Sequence, residues 1–161
     1  MFQAVSTESE IEEVERIARE IWIEHYTPII GIDQVEYMLD NLHSKNEITE
    51  DIALNNYCYF LIKKSDVIGY IGLQIRTDEL FLSKIYIASS ARGLGIGKLA
   101  MQFIRELAQK NQLKKISLTV NKNNSGSIAA YLKLGFIKTG EVCVDIGGGY
   151  VMDDYQMELL L

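Results

Sequence analysis

Residues 84–104, KIYIASSARGLGIGKLAMQFI, join an apolar strand-like segment to an amphipathic helical segment through a glycine-rich turn. Gly93, Gly95 and Gly97 alternate with single apolar residues just before the helical pattern becomes regular. The first amide N–H groups of a helix have no acceptor within the helix, and the helix dipole favours negative charge beside them. Glycine also lets a ligand approach the backbone closely. The turn therefore indicates a phosphate-binding site.

Three phosphate-binding patterns compete for this turn. A nucleoside-triphosphate loop, G-x-x-x-x-G-K-[ST], would need glycine where Arg92 stands and a hydroxyl where Leu99 stands. A dinucleotide fingerprint, G-x-G-x-x-G, would need its third glycine at Lys98. A third pattern, [Q/R]-x-x-G-x-[G/A], is met in full by Arg92, Gly95 and Gly97. On these six residues alone, a turn that only reverses the chain is the competing interpretation.

A second motif follows about thirty residues later in the segment NNSGSIAAYLKLGF. It fits N-x-x-[AS]-x-x-x-Y-x-x-x-G-F through Asn124, Ser127, Tyr131, Gly135 and Phe136. With both motifs in this order and a strand-like segment between them, the sequence resembles the Gcn5-related N-acetyltransferase (GNAT) superfamily from about residue 57 to the C-terminus. Two departures are Ser89, where the family often has proline, and serine instead of the commoner alanine at 127.

The pattern along the chain predicts an α+β protein with one domain over residues 1–161. Two amphipathic helical segments come first, the earlier one ending near EHYTP, and EITEDIALNN adds a short third candidate. Antiparallel strand-like segments follow, and then strands alternate with helices. The resemblance implies the GNAT fold: one mixed, mostly antiparallel, splayed sheet of about seven strands flanked by about four helices.

The resemblance further implies that the phosphate ligand is acetyl-coenzyme A, used as a co-substrate. Its pyrophosphate would lie on the turn and its amide-bearing arm along the strand IYI, with Asn124 either binding the arm or capping the helix that it opens. The implied coenzyme-binding residues are Ile85, Tyr86, Ile87, Arg92, Gly93, Leu94, Gly95, Ile96, Gly97, Lys98 and Asn124.

The implied reaction is direct attack of a primary amine on the thioester. Tyr131 matches the position of the family's general acid, and a phenol with an ordinary pKa of about 10 is a suitable proton donor to a departing thiolate. The general base stays open among Asp78, Glu79, Glu24 and His25, with a weaker claim for His43.

Acceptor selectivity in this family comes from the N-terminal helices and the last strand pair, which carry aromatic and acidic residues here. We predict substrate-binding roles for Trp22, Tyr26, Glu79 and Asp153, because aromatic and acidic groups suit a protonated, polyamine-like amine. Two other functions stay open: an acyl-CoA-binding sensor or interaction module without efficient transfer, and a peptide or protein N-acetyltransferase.

Composition adds broad limits. A formal net charge of −6 over 161 residues argues against nucleic-acid binding. Cys58 and Cys143 have neither a CxxC partner nor a nearby histidine, so we expect buried reduced thiols and no metal site. No leader or membrane-spanning segment is predicted, which favours a cytoplasmic enzyme without membrane contact. A homodimer is an expectation from the family alone.

Overall fold

The computed structural model describes all residues, Met1–Leu161. Its strands are β1 (Phe2–Ala4), β2 (Tyr57–Lys63), β3 (Val67–Ile75), β4 (Glu79–Ile87), β5 (Lys115–Asn121), β6 (Ile137–Gly147) and β7 (Tyr150–Leu160). Its α-helices are α1 (Glu8–Ile30), α2 (Ile32–Leu42), α3 (Lys45–Leu54), α4 (Ile96–Lys110) and α5 (Ser125–Lys133), and a 3₁₀ turn covers Ser89–Ala91.

The seven strands form one sheet in the order β1-β2-β3-β4-β5-β7-β6. The β1–β2, β2–β3, β5–β7 and β6–β7 pairs are antiparallel, whereas β4 and β5 are parallel. This confirms the predicted mixed, mostly antiparallel α+β sheet. The structure has five α-helices instead of about four because the short segment after Ser44, whose side chain accepts from the Glu47 N–H, is helical.

The chain groups into two compact units. The first comprises Met1–Ile75 with Leu82–Ile104, and the second comprises Arg76–Phe81 with Arg105–Leu161. The core of the first unit includes the predicted apolar stripe of α1, which buries Ile11, Val14, Ile17, Ala18, Ile21 and Trp22. In the second unit β5 buries every other side chain, Ile116, Leu118 and Val120. The division into one domain over residues 1–161 stays a prediction.

Helix α1 starts as predicted and ends later than predicted. Thr7 and Glu10 form a reciprocal capping box, in which each side chain accepts from the other residue's backbone N–H. The helix then continues through Pro28, where the sequence predicted its end near EHYTP, and stops at Gly31, whose φ is 85°. The Thr27 hydroxyl donates to the Ile23 carbonyl in this last part of the helix. Gly31 also precedes α2 directly.

Two further predictions differ in outcome. Both cysteines are free as expected, but Cys58 and Cys143 are exposed, so the prediction that they are buried was wrong. In β2 the side chains alternate, and Cys58 lies on the face opposite to the buried Tyr59. No helix is both long and apolar enough to cross a membrane.

Strands β3 and β4 approach closely at Gly69. A Cβ atom added to this glycine would lie 2.2 Å from the Tyr86 carbonyl oxygen, a backbone atom, so the strand itself would have to move. The pair also holds together just beyond, where the Ala88 N–H donates to the Ile68 carbonyl at 2.8 Å. Glycine at position 69 therefore fixes how near β4 lies to its neighbour.

Replacing Gly69 with alanine should destabilise the protein by about 1–3 kcal/mol, because the added methyl group overpacks two backbones. Gly126→Ala is the matched control: this helical glycine has open space around it, so alanine should leave stability unchanged or raise it slightly. Urea unfolding of both variants measures the difference. Equal stability of the two variants would contradict the tight contact.

Candidate active site

The glycine-rich turn begins as a short 3₁₀ turn and continues through two glycines with positive φ. Gly93 and Gly95 have φ values of 76° and 77°, a region that residues with side chains rarely adopt. A Cβ atom at either glycine would meet no atom within 4 Å, so both face open space. The backbone of the turn is therefore held in a defined conformation and open on this side, so a ligand can approach it closely.

Helix α4 opens directly onto this turn. The Leu99 N–H donates to the Gly95 carbonyl at 3.1 Å, and this is the i→i−4 hydrogen bond that begins the helix. The N–H groups of Ile96, Gly97 and Lys98 precede it and lack acceptors inside the helix. Together with the positive end of the helix dipole they favour an anion. The residues present therefore fit the pyrophosphate predicted for this turn.

Two side chains attach the turn to its surroundings in the first unit. Arg92 Nε donates to the Ile87 carbonyl at 3.1 Å, which ties the arginine of the motif to the end of β4. Ser89 Oγ donates to the Glu24 carboxylate on α1 at 3.1 Å. The serine that replaces the family's common proline is thus bonded to a neighbouring helix. Glu24, one of the predicted bases, accepts this bond.

Strand β4 has a ladder partner on its β5 side along only part of its length. Its parallel ladder with β5 joins residues 79–81 to residues 115–117. The later residues 82–87, including Ile85 and Ile87, lie outside that ladder. Ile87 Cδ1 lies 3.6 Å from the Cβ position of Gly97, so this side chain faces the start of α4. Backbone groups of Ile85 and Ile87 are therefore suited to pair with an amide-bearing arm.

The second unit holds the other motif residues. Asn124 is 4% exposed and caps α5, its side chain accepting from the Ser127 N–H at 3.5 Å. Tyr131 is partly exposed, and its ring meets the buried ring of Phe136 edge to face at 5.5 Å. The cap accounts for one of the two roles predicted for Asn124, and its binding role stays a prediction.

The acidic candidates on the second unit are bound in ion pairs. Glu79 lies 3.0 Å from Arg76 and 3.7 Å from Lys115. Asp78 lies 3.8 Å from Lys114. Asp153 lies 2.9 Å from Lys122, which also binds Glu141. Each of these carboxylates therefore already has a basic partner within the protein. The substrate-binding roles of Glu79 and Asp153 stay predictions.

The aromatic candidates on the first unit belong to a larger cluster that the sequence did not reveal. Trp22 is 4% exposed and stacks on His43 at 5.0 Å. Tyr26 meets the Trp22 ring at 5.9 Å, and its hydroxyl lies 2.9 Å from that of Tyr86. Further ring contacts join these residues to three more tyrosines. The aromatic cluster, as we call it, consists of Trp22, Tyr26, His43, Tyr57, Tyr59, Tyr70 and Tyr86. Its rings come from α1, the end of α2, β2, β3 and β4.

His43 is a buried member of the aromatic cluster. It is 1% exposed, its Nε2 lies 3.0 Å from the Tyr70 hydroxyl, and its Nδ1 has no hydrogen-bond partner. Burial, and secondarily the positive charge of Lys84, hold the pKa of His43 well below its usual range. The imidazole is therefore neutral at pH 7.

Lys84 completes the cluster, and sequence reasoning missed it because a lysine in an amphipathic strand is ordinarily a solvated charge. Its Nζ lies 5.8 Å and 6.0 Å from the ring centres of Tyr57 and Tyr59 and donates to Ser83 Oγ at 2.9 Å. Burial lowers the pKa of Lys84 to about 8, and the charge of Asp51 on α3 opposes this decrease. The sequence did carry one signal for this position. Lys84 and Tyr86 stand two residues apart in one strand, so they share a face of the sheet.

No group of three or more histidine, cysteine or acidic side chains in the structure could hold a metal ion.

Comparison with known proteins identifies the class. The sequence pattern of the acetyltransferase (GNAT) family matches residues 12–136, and the chain belongs to this family. Among solved structures, PaiA N-acetyltransferase of Thermoplasma acidophilum in complex with coenzyme A has a TM-score of 0.78 at 20% identity and covers 100% of this chain and 99% of that chain.

Two more relatives are similar to this chain, one over almost its whole length and one over a shorter segment. Spermidine N-acetyltransferase of Vibrio cholerae in complex with CoA and spermine has a TM-score of 0.68 at 19% identity over 99% of this chain and 94% of that chain. The 5-NmdU N-acetyltransferase of Pseudomonas phage PaMx11 is 35% identical over 68 residues, 42% of this chain and 46% of the relative. The chain spans about half the length of the curated relatives it matches.

Replacing Gly95 with glutamate should abolish coenzyme A binding, because a side chain and a negative charge would occupy the ligand's approach to the turn. The expected loss of affinity is about 100-fold or more by calorimetry. Gly149→Glu is the matched control, since this glycine has a similar φ of 82° and open space but lies in the β6–β7 turn. Undiminished affinity in the Gly95 variant would disprove a pyrophosphate site on this turn.

The pKa of Lys84 predicts a pH dependence of stability. Between pH 8 and 10.5 the unfolded chain keeps a proton on this lysine that the folded protein has released, so folding stability rises with pH in that window. Relative to Lys84→Met, the wild-type protein should gain about 2–3 kcal/mol of unfolding free energy across it. Urea unfolding of both proteins from pH 7 to 10 measures this gain, and parallel curves would contradict it.

Proposed function

We propose that this protein is an acetyl-CoA-dependent N-acetyltransferase that moves an acetyl group to a primary amine of a small molecule. The observation that carries the proposal is the glycine turn, whose two positive-φ glycines lead directly into the first amides of α4 and suit a pyrophosphate. Membership of the acetyltransferase (GNAT) family and the coenzyme A bound by the Thermoplasma relative support the same ligand.

The proposed binding of the coenzyme uses backbone more than side chains. The N–H groups of Ile96, Gly97 and Lys98 would receive the pyrophosphate, and the exposed Lys98 side chain adds positive charge beside it. Backbone groups of Ile85 and Ile87 would pair with the amides of the coenzyme's arm in the manner of an added strand. When bound, acetyl-CoA supplies an activated acyl group as a thioester.

The proposed reaction requires two groups from the chain: a hydrogen-bond donor to the developing oxyanion and a proton donor to the leaving thiolate. An N–H of β4 around Ile85 and Ile87 would stabilise the oxygen that becomes negative as the amine attacks. Tyr131 would donate a proton to the leaving thiolate, in keeping with its place in the second motif. We assign no general base. Asp78 and Glu79 are held in ion pairs, Glu24 accepts from Ser89, and His25 packs edge to face on Tyr26.

The first experiment measures release of free thiol from acetyl-CoA in the presence of a panel of amines. The panel contains polyamines, because one structural relative is a spermidine N-acetyltransferase, and also amino sugars, amino acids and peptides with free N-termini. We expect acetylation of at least one small primary amine. Tight coenzyme binding without transfer to any of them would favour the acyl-CoA sensor, and transfer to peptides alone would favour a peptide N-acetyltransferase.

Replacing Tyr131 with phenylalanine tests the general acid. The variant keeps the ring that packs on Phe136 and loses the proton donor, so kcat should fall about 100-fold at neutral pH while coenzyme affinity stays the same. Tyr155→Phe removes a hydroxyl elsewhere in the same unit and should leave kcat unchanged. Steady-state kinetics of both variants with the best amine decide the point. Unchanged turnover of the Tyr131 variant would refute the role.

A further inference from the structure

We propose that Lys84 binds an anionic group on the acceptor, so that the preferred acceptor carries a carboxylate or phosphate as well as its primary amine. This inference rests on the proposed function, because it concerns the amine that the enzyme acetylates. It narrows the acceptor class away from the polyamine-like cations that the aromatic and acidic residues of the acceptor side suggested in the sequence.

The position of Lys84 in β4 is the first step. Side chains alternate along a strand, so Lys84 and Tyr86 point to one face while Ile85 and Ile87 point to the other. Ile87 meets the start of α4, whereas Tyr86 meets Trp22 and Tyr26 of α1. Lys84 therefore projects from the strand proposed to hold the coenzyme's arm into the face lined by the aromatic cluster.

The second step is the lack of a carboxylate partner. Lys45, Lys115 and Lys122 each bind two carboxylates within 4 Å. Lys84 is part of none of the protein's ion pairs, and Asp51 acts on it only from beyond that distance. Six other lysines also lack a carboxylate partner, but five of them are exposed, and the partly buried Lys63 donates to the Gln3 side-chain oxygen at 3.1 Å. Burying a charge without a counter-charge costs free energy that an anionic ligand would recover.

The third step is the composition of the surroundings. The groups facing the ammonium are the rings of Tyr57 and Tyr59 on β2, Ser83 Oγ, the neutral His43 and the more distant Asp51. Of the cluster's rings, those of Tyr26, Tyr57 and Tyr86 are partly exposed and suited to an apolar or cationic stem. Lys84 lies beside the Tyr57 ring and on the same face of β4 as Tyr86. A polycation would meet like charge there. An amine that also carries an anion would meet attraction at Lys84.

The experiment compares matched acceptors. The probes are ω-aminoalkanoates with two to five methylene groups, their carboxamides, the corresponding aminoalkyl phosphates, and spermidine. Binding at pH 7 is measured by thermal shift and calorimetry with acetyl-CoA absent, and transfer is measured separately by thiol release. We expect the wild-type protein to bind at least one anionic probe about 10-fold or more tightly than its carboxamide. Whether the carboxylate or the phosphate series gives the larger preference identifies the anion.

Variants connect this preference to Lys84. Lys84→Met should remove the preference and raise KM for the anionic amine about 10- to 100-fold while KM for acetyl-CoA stays the same. Lys84→Arg should keep the preference, as should Lys64→Gln, which removes an exposed lysine in the β2–β3 turn. If Lys84→Met does not fold, the wild-type preference should instead decline between pH 7 and pH 9, as Lys84 loses its proton.

The outcomes separate the two proposals. Equal binding of anionic probes and carboxamides by the wild-type protein, or a preference that survives in Lys84→Met, overturns the inference. Efficient acetylation of spermidine or of the carboxamides without such a preference also overturns it and leaves the proposed function standing. A Lys84-dependent preference in binding with no transfer to any amine supports the anion site and overturns the proposed function.

Discussion

The contact between Gly69 of β3 and the Tyr86 carbonyl of β4 is the constraint on which the first unit depends. It sets the position of the strand whose residues 84–87 supply Lys84 and Tyr86 to one face and Ile85 and Ile87 to the other. The glycine turn follows directly, tied back to the strand by Arg92. A displacement of β4 would therefore move the turn together with Lys84 and Tyr86.

The motifs that predicted the fold are those in which backbone conformation demands a particular residue. Gly93 and Gly95 adopt positive φ, and Asn124 caps a helix, so the sequence marks these positions directly. The order of strands and helices could also be read from apolar periodicity. The end of α1 could not, because Pro28 usually stops a helix and here lies within one.

Side-chain partnerships were beyond the reach of sequence. Glu79 and Asp153 look like candidate acceptor ligands in the sequence. The pairing of Glu79 with Lys115 and of Asp153 with Lys122 depends on which strands are neighbours, whereas Arg76 stands only three residues from Glu79. Lys84 looks like a surface charge until the sheet brings β4 within reach of β2 across β3 and places the lysine near two tyrosine rings. Sequence periodicity predicts on which face of a strand a residue lies. Its charge partners and its pKa depend on contacts across the sheet, which the periodicity does not predict.

The stacking of Trp22 on His43 has an experimental consequence. Trp22 is the single tryptophan of the chain, and it lies within the aromatic cluster, against Tyr26, Tyr86 and the neutral imidazole. Its emission therefore reports from that cluster and from nowhere else in the molecule. The protein carries its own optical probe beside the proposed acceptor face, so events there can be followed without a label.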